Sequence, residues 1–159
     1  MHTLKINGKM NISQYIEKVN NEYKTGNASE HSYRGYLQSV LQEILPNIHI
    51  TNEPKKSKCG KPDYILTNKT IPIGYIEAKD IGDSDLKGEK KSANKEQFDR
   101  YKNGLPNIIF TDYLDFYFYQ KSELKTSIKI AEIVDNKIVG LPQNYEAFTN
   151  LIINFSQKI

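Results

Sequence analysis

The chain has 159 residues, of which 38% are hydrophobic and 26% are charged, a balance that excludes a disordered tail and fits a single globular domain. Its 22 basic and 19 acidic residues give a net charge of +3, which tolerates a polyanionic partner without requiring one. The single cysteine, Cys59, excludes an intrachain disulfide and a cysteine-based zinc site, and the apolar runs are too short to span a bilayer. We therefore expect one domain over residues 1–159, located in the cytoplasm and not in a membrane.

Two helices are predicted in the first third of the chain. Apolar residues spaced by three and four indicate a helix over 12–23, which the turn formers after it would close. The same spacing predicts a second helix over 29–45, with Ser29 as its N-cap and Pro46 ending it. The apolar stripe of this second helix should face the core.

The period then changes from helical to that of strands, and a mixed order of elements follows. The charged stretch 80–94 has two glycines and hardly any hydrophobes, so we expect a mobile loop there. The other predicted elements are strands at 48–51, 62–67, 72–79, 107–111, 114–120 and 128–134, and helices at 95–103 and 144–157. Helices flanking a central group of strands indicate an α/β fold with a mixed β-sheet.

Charged residues occupy two of these strands where hydrophobes are normally buried. Glu77 and Lys79 are two apart, so in a strand they point to the same side, following Ile73 and Tyr75 on that face. If the strands at 62–67 and 72–79 pair as a hairpin, Asp63 approaches Glu77 and Lys79 from the neighbouring strand. The pattern predicts two carboxylates and one ammonium converging at strand ends.

This combination suits metal-dependent hydrolysis of a phosphodiester. Asp63 and Glu77 are oxygen donors of the kind that Mg²⁺ prefers, and the Ala78 carbonyl adds a backbone ligand. Lys79 is the candidate that orients or deprotonates the attacking water, or offsets charge in the transition state. The competing interpretation is a solvated strand face, which is the usual meaning of a carboxylate-x-lysine pattern taken by itself.

Beyond the single pattern, the chain resembles a known family. Pro62-Asp63 followed by Glu77-Ala78-Lys79 is similar to the motif of the PD-(D/E)xK nucleases, whose fold is a restriction-endonuclease-like mixed β-sheet flanked by α-helices. Further blocks resemble the amino-terminal nuclease domain of single-chain Type I (Type ISP) restriction-modification enzymes. These blocks are Glu30-His31-Ser32-Tyr33-Arg34, Gly74 to Asp80, Gln97-x-x-x-Tyr101, and Asn107 to Tyr113.

The resemblance implies roles for individual residues. It implies that Asp63 and Glu77 bind the metal, that Lys79 is essential for cleavage, and that Glu30 contributes an upstream acid to the same site. The simpler interpretation of Glu30 is a favourable charge at the start of a helix. The resemblance also places the Gln97 amide near the active site, whereas we expect Tyr101, which shares a helix face with it, to be a packing residue.

Several basic residues are candidates for contact with DNA. Lys55, Lys56, Lys58 and Lys61 precede Asp63 along the chain, and around a cleft they would bind backbone phosphates without reading the base sequence. A solvated lysine-rich loop is the competing interpretation. His31 and Arg34 are further candidates for phosphate contact, although a structural histidine and a surface helix arginine explain them as well.

From these observations the sequence predicts a Mg²⁺-dependent DNA endonuclease domain of a restriction-modification system, acting on double-stranded DNA. No ATP-binding motif or groove-reading helix is recognisable, so the motor, methyltransferase and target-recognition functions would lie in the same longer polypeptide or in a partner. We expect the chain to be the amino-terminal part of such a polypeptide. The alternatives are a repair or junction-resolving nuclease of the same fold, a non-catalytic DNA-binding module, and a structural domain that binds no Mg²⁺.

Overall fold

A computed structural model of the chain describes residues 10–26, 30–52, 60–82, 86 and 92–157, without the side chains of residues 30, 31 and 92–94. Four α-helices lie within these ranges: α1 (Ile12–Thr25), α2 (Glu30–Ile44), α3 (Ser92–Gly104) and α4 (Tyr145–Ser156). The strands are β1 (His49–Asn52), β2 (Tyr64–Asn68), β3 (Ile71–Ala78), β4 (Asn107–Thr111), β5 (Asp115–Gln120), β6 (Glu123–Lys129), β7 (Ala131–Val134) and β8 (Lys137–Gly140).

The strands form a six-stranded sheet in the order β1-β2-β3-β4-β5-β6 and a separate two-stranded sheet of β7 and β8. β3 and β4 are parallel, and the other neighbours in the large sheet are antiparallel. Parallel neighbours need a crossover connection, and α3 lies between β3 and β4 in the chain and supplies it. The predicted α/β fold with a mixed sheet flanked by helices is confirmed.

Helices cover both faces of the large sheet. On one face the apolar sides of α1, α2 and α4 pack on residues such as Leu66, Ile76 and Ala78. On the other face α3 contributes Phe98 and Tyr101 to a smaller cluster. The small side chain of Ala78 is buried in the larger cluster.

A β-bulge in β3 changes which face its side chains point to. Leu66 pairs with Gly74 and Thr67 pairs with Pro72, so Ile73 is an extra residue without a partner in β2. Ile73 consequently joins the larger cluster while Tyr75 packs against the smaller one. The expectation that Ile73 and Tyr75 share a face with Glu77 is therefore wrong for Ile73, because the bulge shifts the alternation by one residue.

Three further predictions need correction. The predicted strand 128–134 is two strands, because the chain leaves the large sheet after Lys129 and enters the small one at Ala131. No strand was predicted where the edge strand β6 begins, at Glu123, and none was predicted for the hairpin strand β8. The predicted loop 80–94 ends earlier, since α3 begins at Ser92, and residues 83–85 and 87–91 lie outside the described ranges.

The other element predictions are confirmed to within a few residues at each end. The helix expected over 12–23 is α1, which begins with a capping box in which Asn11 and Gln14 bond each other's backbone amides. None of the helices in the described part of the chain is both long and apolar enough to cross a membrane.

Candidate active site

Asp63 stands immediately before β2, and residues of β3 and α2 hold its carboxylate. Its Oδ2 accepts a 2.7 Å hydrogen bond from the backbone N–H of Ala78 on the neighbouring strand. Its Oδ1 accepts a 2.5 Å hydrogen bond from Nη2 of Arg34 on α2. The hairpin of β2 and β3 and the packing of α2 therefore fix this carboxylate at the end of β3, where the sequence predicted it.

Glu77 is the penultimate residue of β3 and is 6% exposed. Its Oε1 is buried and accepts no hydrogen bond from the residues that the structure describes. Burial and the nearby Asp63 carboxylate raise the pKa of Glu77 to about 8, and the Lys79 ammonium opposes this rise. A buried carboxyl oxygen without a hydrogen-bond partner is costly, and a cation bound at this atom would offset that cost by favouring the ionised form.

Lys79 follows β3 and is held by its backbone and by its amine. Its backbone N–H donates a 2.8 Å hydrogen bond to the Thr111 carbonyl, which extends the parallel pairing with β4. Its Nζ donates a 2.6 Å hydrogen bond to Oε1 of Gln97 on α3 and lies 3.8 Å from Oε2 of Glu77. The structure thus brings Gln97, Lys79 and Glu77 together, although they come from two different elements.

The first five residues of α2 include three predicted site residues, Glu30, His31 and Arg34, and only Arg34 has a described side chain. Arg34 contacts Asp63, and its backbone carbonyl accepts a 2.9 Å hydrogen bond from the Tyr64 hydroxyl. Glu30 lies one turn before Arg34, which places it on the same face of the helix. The side chains of Glu30 and His31 lie outside the described part of the structure, so their roles remain predictions.

The basic loop before Asp63 is described only at its end. Lys55, Lys56 and Lys58 lie outside the described residues, and their contact with DNA stays a prediction. Lys61 is exposed and lines a cavity of about 130 Å³ together with Arg34, Pro62 and Asp63. A basic cavity beside Asp63 is compatible with an anionic ligand.

Tyr101 contributes more than the packing predicted from the sequence. It is buried in the cluster under α3, and it forms a hydrogen bond with the Lys61 backbone. Its ring lies against Gly60, where a Cβ atom would come within 2.7 Å of Cε1. Gly60 also has a φ of +125°, which favours glycine. Tyr101 therefore anchors the segment that leads into Asp63, a role that was not predicted from the sequence.

The residues present fit a divalent cation in their chemistry. The Asp63 carboxylate lies close enough to Glu77 to oppose its ionisation, and a cation between them would offset that repulsion. Within the described ranges, no three acidic, histidine or cysteine side chains converge. The candidate metal ligands in those ranges are the two carboxylates and the Ala78 carbonyl. This carbonyl lies on the same edge of β3 as the Ala78 N–H group, which donates to Asp63.

Comparison with known proteins supports the fold and is silent on the chemistry. No protein-family model matches the sequence, and no curated protein matches it either. The structure is similar to a chain in the cryo-EM structure of the DrdV–DNA complex, with a TM-score of 0.62 and 21% sequence identity. The match covers 92% of this chain but only 14% of that chain. The likeness, together with the six-stranded mixed sheet between helices, gives this protein a restriction-endonuclease-like fold.

Proposed function

We propose that this chain is a Mg²⁺-dependent DNA endonuclease domain that hydrolyses phosphodiester bonds. The observation that carries the proposal is the buried Oε1 of Glu77, which has no donor among the described residues and lies in a site with Asp63 and Lys79. A merely structural strand end has no need to bury one carboxylate beside another, where burial and the Asp63 charge raise its pKa to about 8. A cation-binding nuclease site explains why the two carboxylates are kept together.

The carboxylates of Asp63 and Glu77 and the Ala78 carbonyl would hold the Mg²⁺, with Glu30 as a further candidate. When bound, Mg²⁺ polarises the phosphate and lowers the pKa of a bound water. The protein positions its own ligands rigidly, since Asp63 is bonded to the backbone of Ala78, one residue after Glu77. The ligand spacing is therefore set by pairing of β2 with β3, not by flexible side chains.

Lys79 and Gln97 supply the remaining chemistry. The Gln97 oxygen accepts from the Lys79 amine, which directs one of its three donors away from Glu77 and leaves the others for the reacting groups. The amine in that position orients the attacking water or stabilises the charge that develops on the phosphate. Gln97 acts through Lys79 and is a positioning residue in this proposal.

The substrate and the biological setting are part of the proposal as well. The cavity lined by Arg34 and Lys61 and the likeness to a protein solved with DNA favour double-stranded DNA as the substrate. We further propose a restriction-modification system in the cytoplasm, in which motor, methyltransferase and target-recognition domains of a longer polypeptide or a partner select the target. The chain spans 14% of the DNA-complex protein that it resembles, which leaves room for such domains.

The test is relaxation of supercoiled plasmid DNA with Mg²⁺ by the wild-type protein and by the Asp63→Ala and Lys79→Ala variants. Lys121→Ala is the matched control, because Lys121 is an exposed lysine in the turn between β5 and β6. We expect cleavage by the wild type and the control and none by the two site variants. Equal cleavage by all four proteins would refute the assignment, as would inactivity of the wild type even inside its natural longer polypeptide.

A further inference from the structure

The ion pair of Arg34 and Asp63 occupies the carboxylate that the proposed function assigns to the cation. Nη2 of Arg34 is 2.5 Å from Oδ1, and the two side chains are only 14% and 12% exposed. The second oxygen of Asp63 is engaged with the Ala78 amide. A guanidinium carries a full positive charge, so at Oδ1 it repels a divalent cation and uses one of the lone pairs of that oxygen. Arg34 and the cation therefore compete for the Asp63 carboxylate.

A place for the displaced guanidinium lies beside it. Among the described residues, the cavity of about 130 Å³ is lined by Arg34, Lys61, Pro62 and Asp63, which supply two basic side chains and one carboxylate. Once a cation neutralises Asp63, this part of the cavity wall is positively charged. Arginine binds phosphate through the same planar fork of donors that it uses for carboxylate.

We propose that Arg34 is the counter-charge of Asp63 in the cation-free protein, and that a divalent cation at Asp63 displaces its guanidinium to bind a backbone phosphate of DNA. The inference rests on the proposed function, since it takes Asp63 as a cation ligand. Cation binding and phosphate binding are then linked through one side chain. Arg34 contributes to DNA affinity only after the cation is in place.

The first test is calorimetric titration with Mn²⁺, in the absence of DNA, of the wild-type 159-residue protein and its Arg34→Gln variant. Removing the competing positive charge should tighten Mn²⁺ binding about tenfold. Arg100→Gln, which makes the same chemical change at an exposed residue of α3, should match the wild type. Glu77→Gln, introduced into the wild type or into Arg34→Gln, should abolish the heat of Mn²⁺ binding. Arg34→Lys keeps a positive charge with fewer donors, and should give an intermediate affinity if Arg34→Gln does not fold.

The second test compares binding of a labelled DNA duplex with and without Ca²⁺, a cation that takes the same oxygen ligands. Arg34→Gln should weaken DNA binding several-fold in Ca²⁺ and leave it unchanged in chelator. Equal weakening in both conditions, or Mn²⁺ affinity that is unchanged or lower in Arg34→Gln, overturns the inference alone. A wild-type protein that takes up no cation overturns both the inference and the proposed function.

Discussion

The amine of Lys79 donates a 2.6 Å hydrogen bond to the side-chain oxygen of Gln97 and lies 3.8 Å from a carboxylate oxygen of Glu77. One side chain thereby joins the end of β3 to α3, the helix that crosses over to the parallel strand β4. The position of the amine depends on the packing of α3, which rests on Phe98 and Tyr101. Substitutions on α3 should therefore change the cleavage activity even when the substituted residue does not contact DNA.

Gln97→Ala should slow plasmid cleavage about tenfold to hundredfold, because a hydrogen bond to a charged group contributes about 1.5–3 kcal/mol. The amine loses the partner that directs it, while the cation ligands keep their places. Single-turnover cleavage rates measure the effect, and circular dichroism checks the fold. Gln120→Ala, at the far end of β5, is the matched control. A wild-type rate in Gln97→Ala would mean that Lys79 needs no positioning.

Glu77 should make the metal-free protein less stable as the pH rises. Its pKa is about 8 in the folded protein against 4.5 for an ordinary glutamate, so between these values the folded state binds more protons than the unfolded state. The free energy of unfolding then falls across that window and levels off above it. Urea unfolding in chelator should show the decline in the wild type and lose it in Glu77→Gln. A decline that persists unchanged in Glu77→Gln would assign it to another group.

Cation affinity should rise with pH over the same window, because a proton and a cation compete for the Glu77 oxygens. Calorimetric titration with Mn²⁺ from pH 6 to about pH 9 measures this, and the number of protons released in buffers of different ionisation enthalpy provides an independent reading. The release should disappear above the pKa of about 8. Affinity that does not change with pH would contradict a protonated Glu77.

Gly74→Ala should destabilise the protein by about 1–3 kcal/mol, the usual cost of forcing extra atoms into a packed core. A Cβ atom on Gly74 would lie 2.5 Å from Cζ of Phe155 on α4. Gly35→Ala is the matched control, since its Cβ meets no atom within 4 Å on the exposed side of α2. It should stabilise the helix by about 0.5–1 kcal/mol. Thermal unfolding of both variants decides whether contact with Phe155 sets the requirement for glycine.

Tyr101→Phe should lower the free energy of unfolding by about 0.5–1.5 kcal/mol and also slow cleavage. The ring stays packed, but the hydrogen bond with the Lys61 backbone is lost, so the segment before Asp63 is less firmly anchored. Tyr117→Phe loses a hydroxyl that bonds Asp115 and serves as the control for stability alone. If the two variants cleave equally, Tyr101 is a packing residue, as its sequence pattern first indicated.

The sequence predicted the parts of the site that depend on local pattern. The two-residue period of β3 put Glu77 and Lys79 on one side, and the hairpin brought the Asp63 carboxylate to the end of β3, where the Ala78 amide donates to it. These relations within the hairpin follow from chain geometry over short distances, so residue types and spacing were sufficient. The position of Gln97 near Lys79 was implied by the family resemblance and not by spacing, which only put Gln97 and Tyr101 on one face of α3.

The pairing of Arg34 with Asp63 could not be predicted in this way. It joins residues 29 apart in sequence on different elements, and a helix arginine has many possible partners. β6 was missed in part because its residues are nearly all exposed and carry no alternating pattern of burial. The departure of the chain from the large sheet at Ile130 depends on bonds to Leu114 and Leu141 that the local sequence does not encode.

The unpaired Ile73 separates the pairing of β3 near the candidate site from its pairing near the hairpin turn. If this residue were removed, Gly74 would still pair with Leu66 and Pro72 with Thr67. Glu77 would therefore keep its face, and the cost would be the loss of one buried side chain from the core. The extra residue thus makes the position of Glu77 independent of the number of residues between the bulge and the hairpin turn.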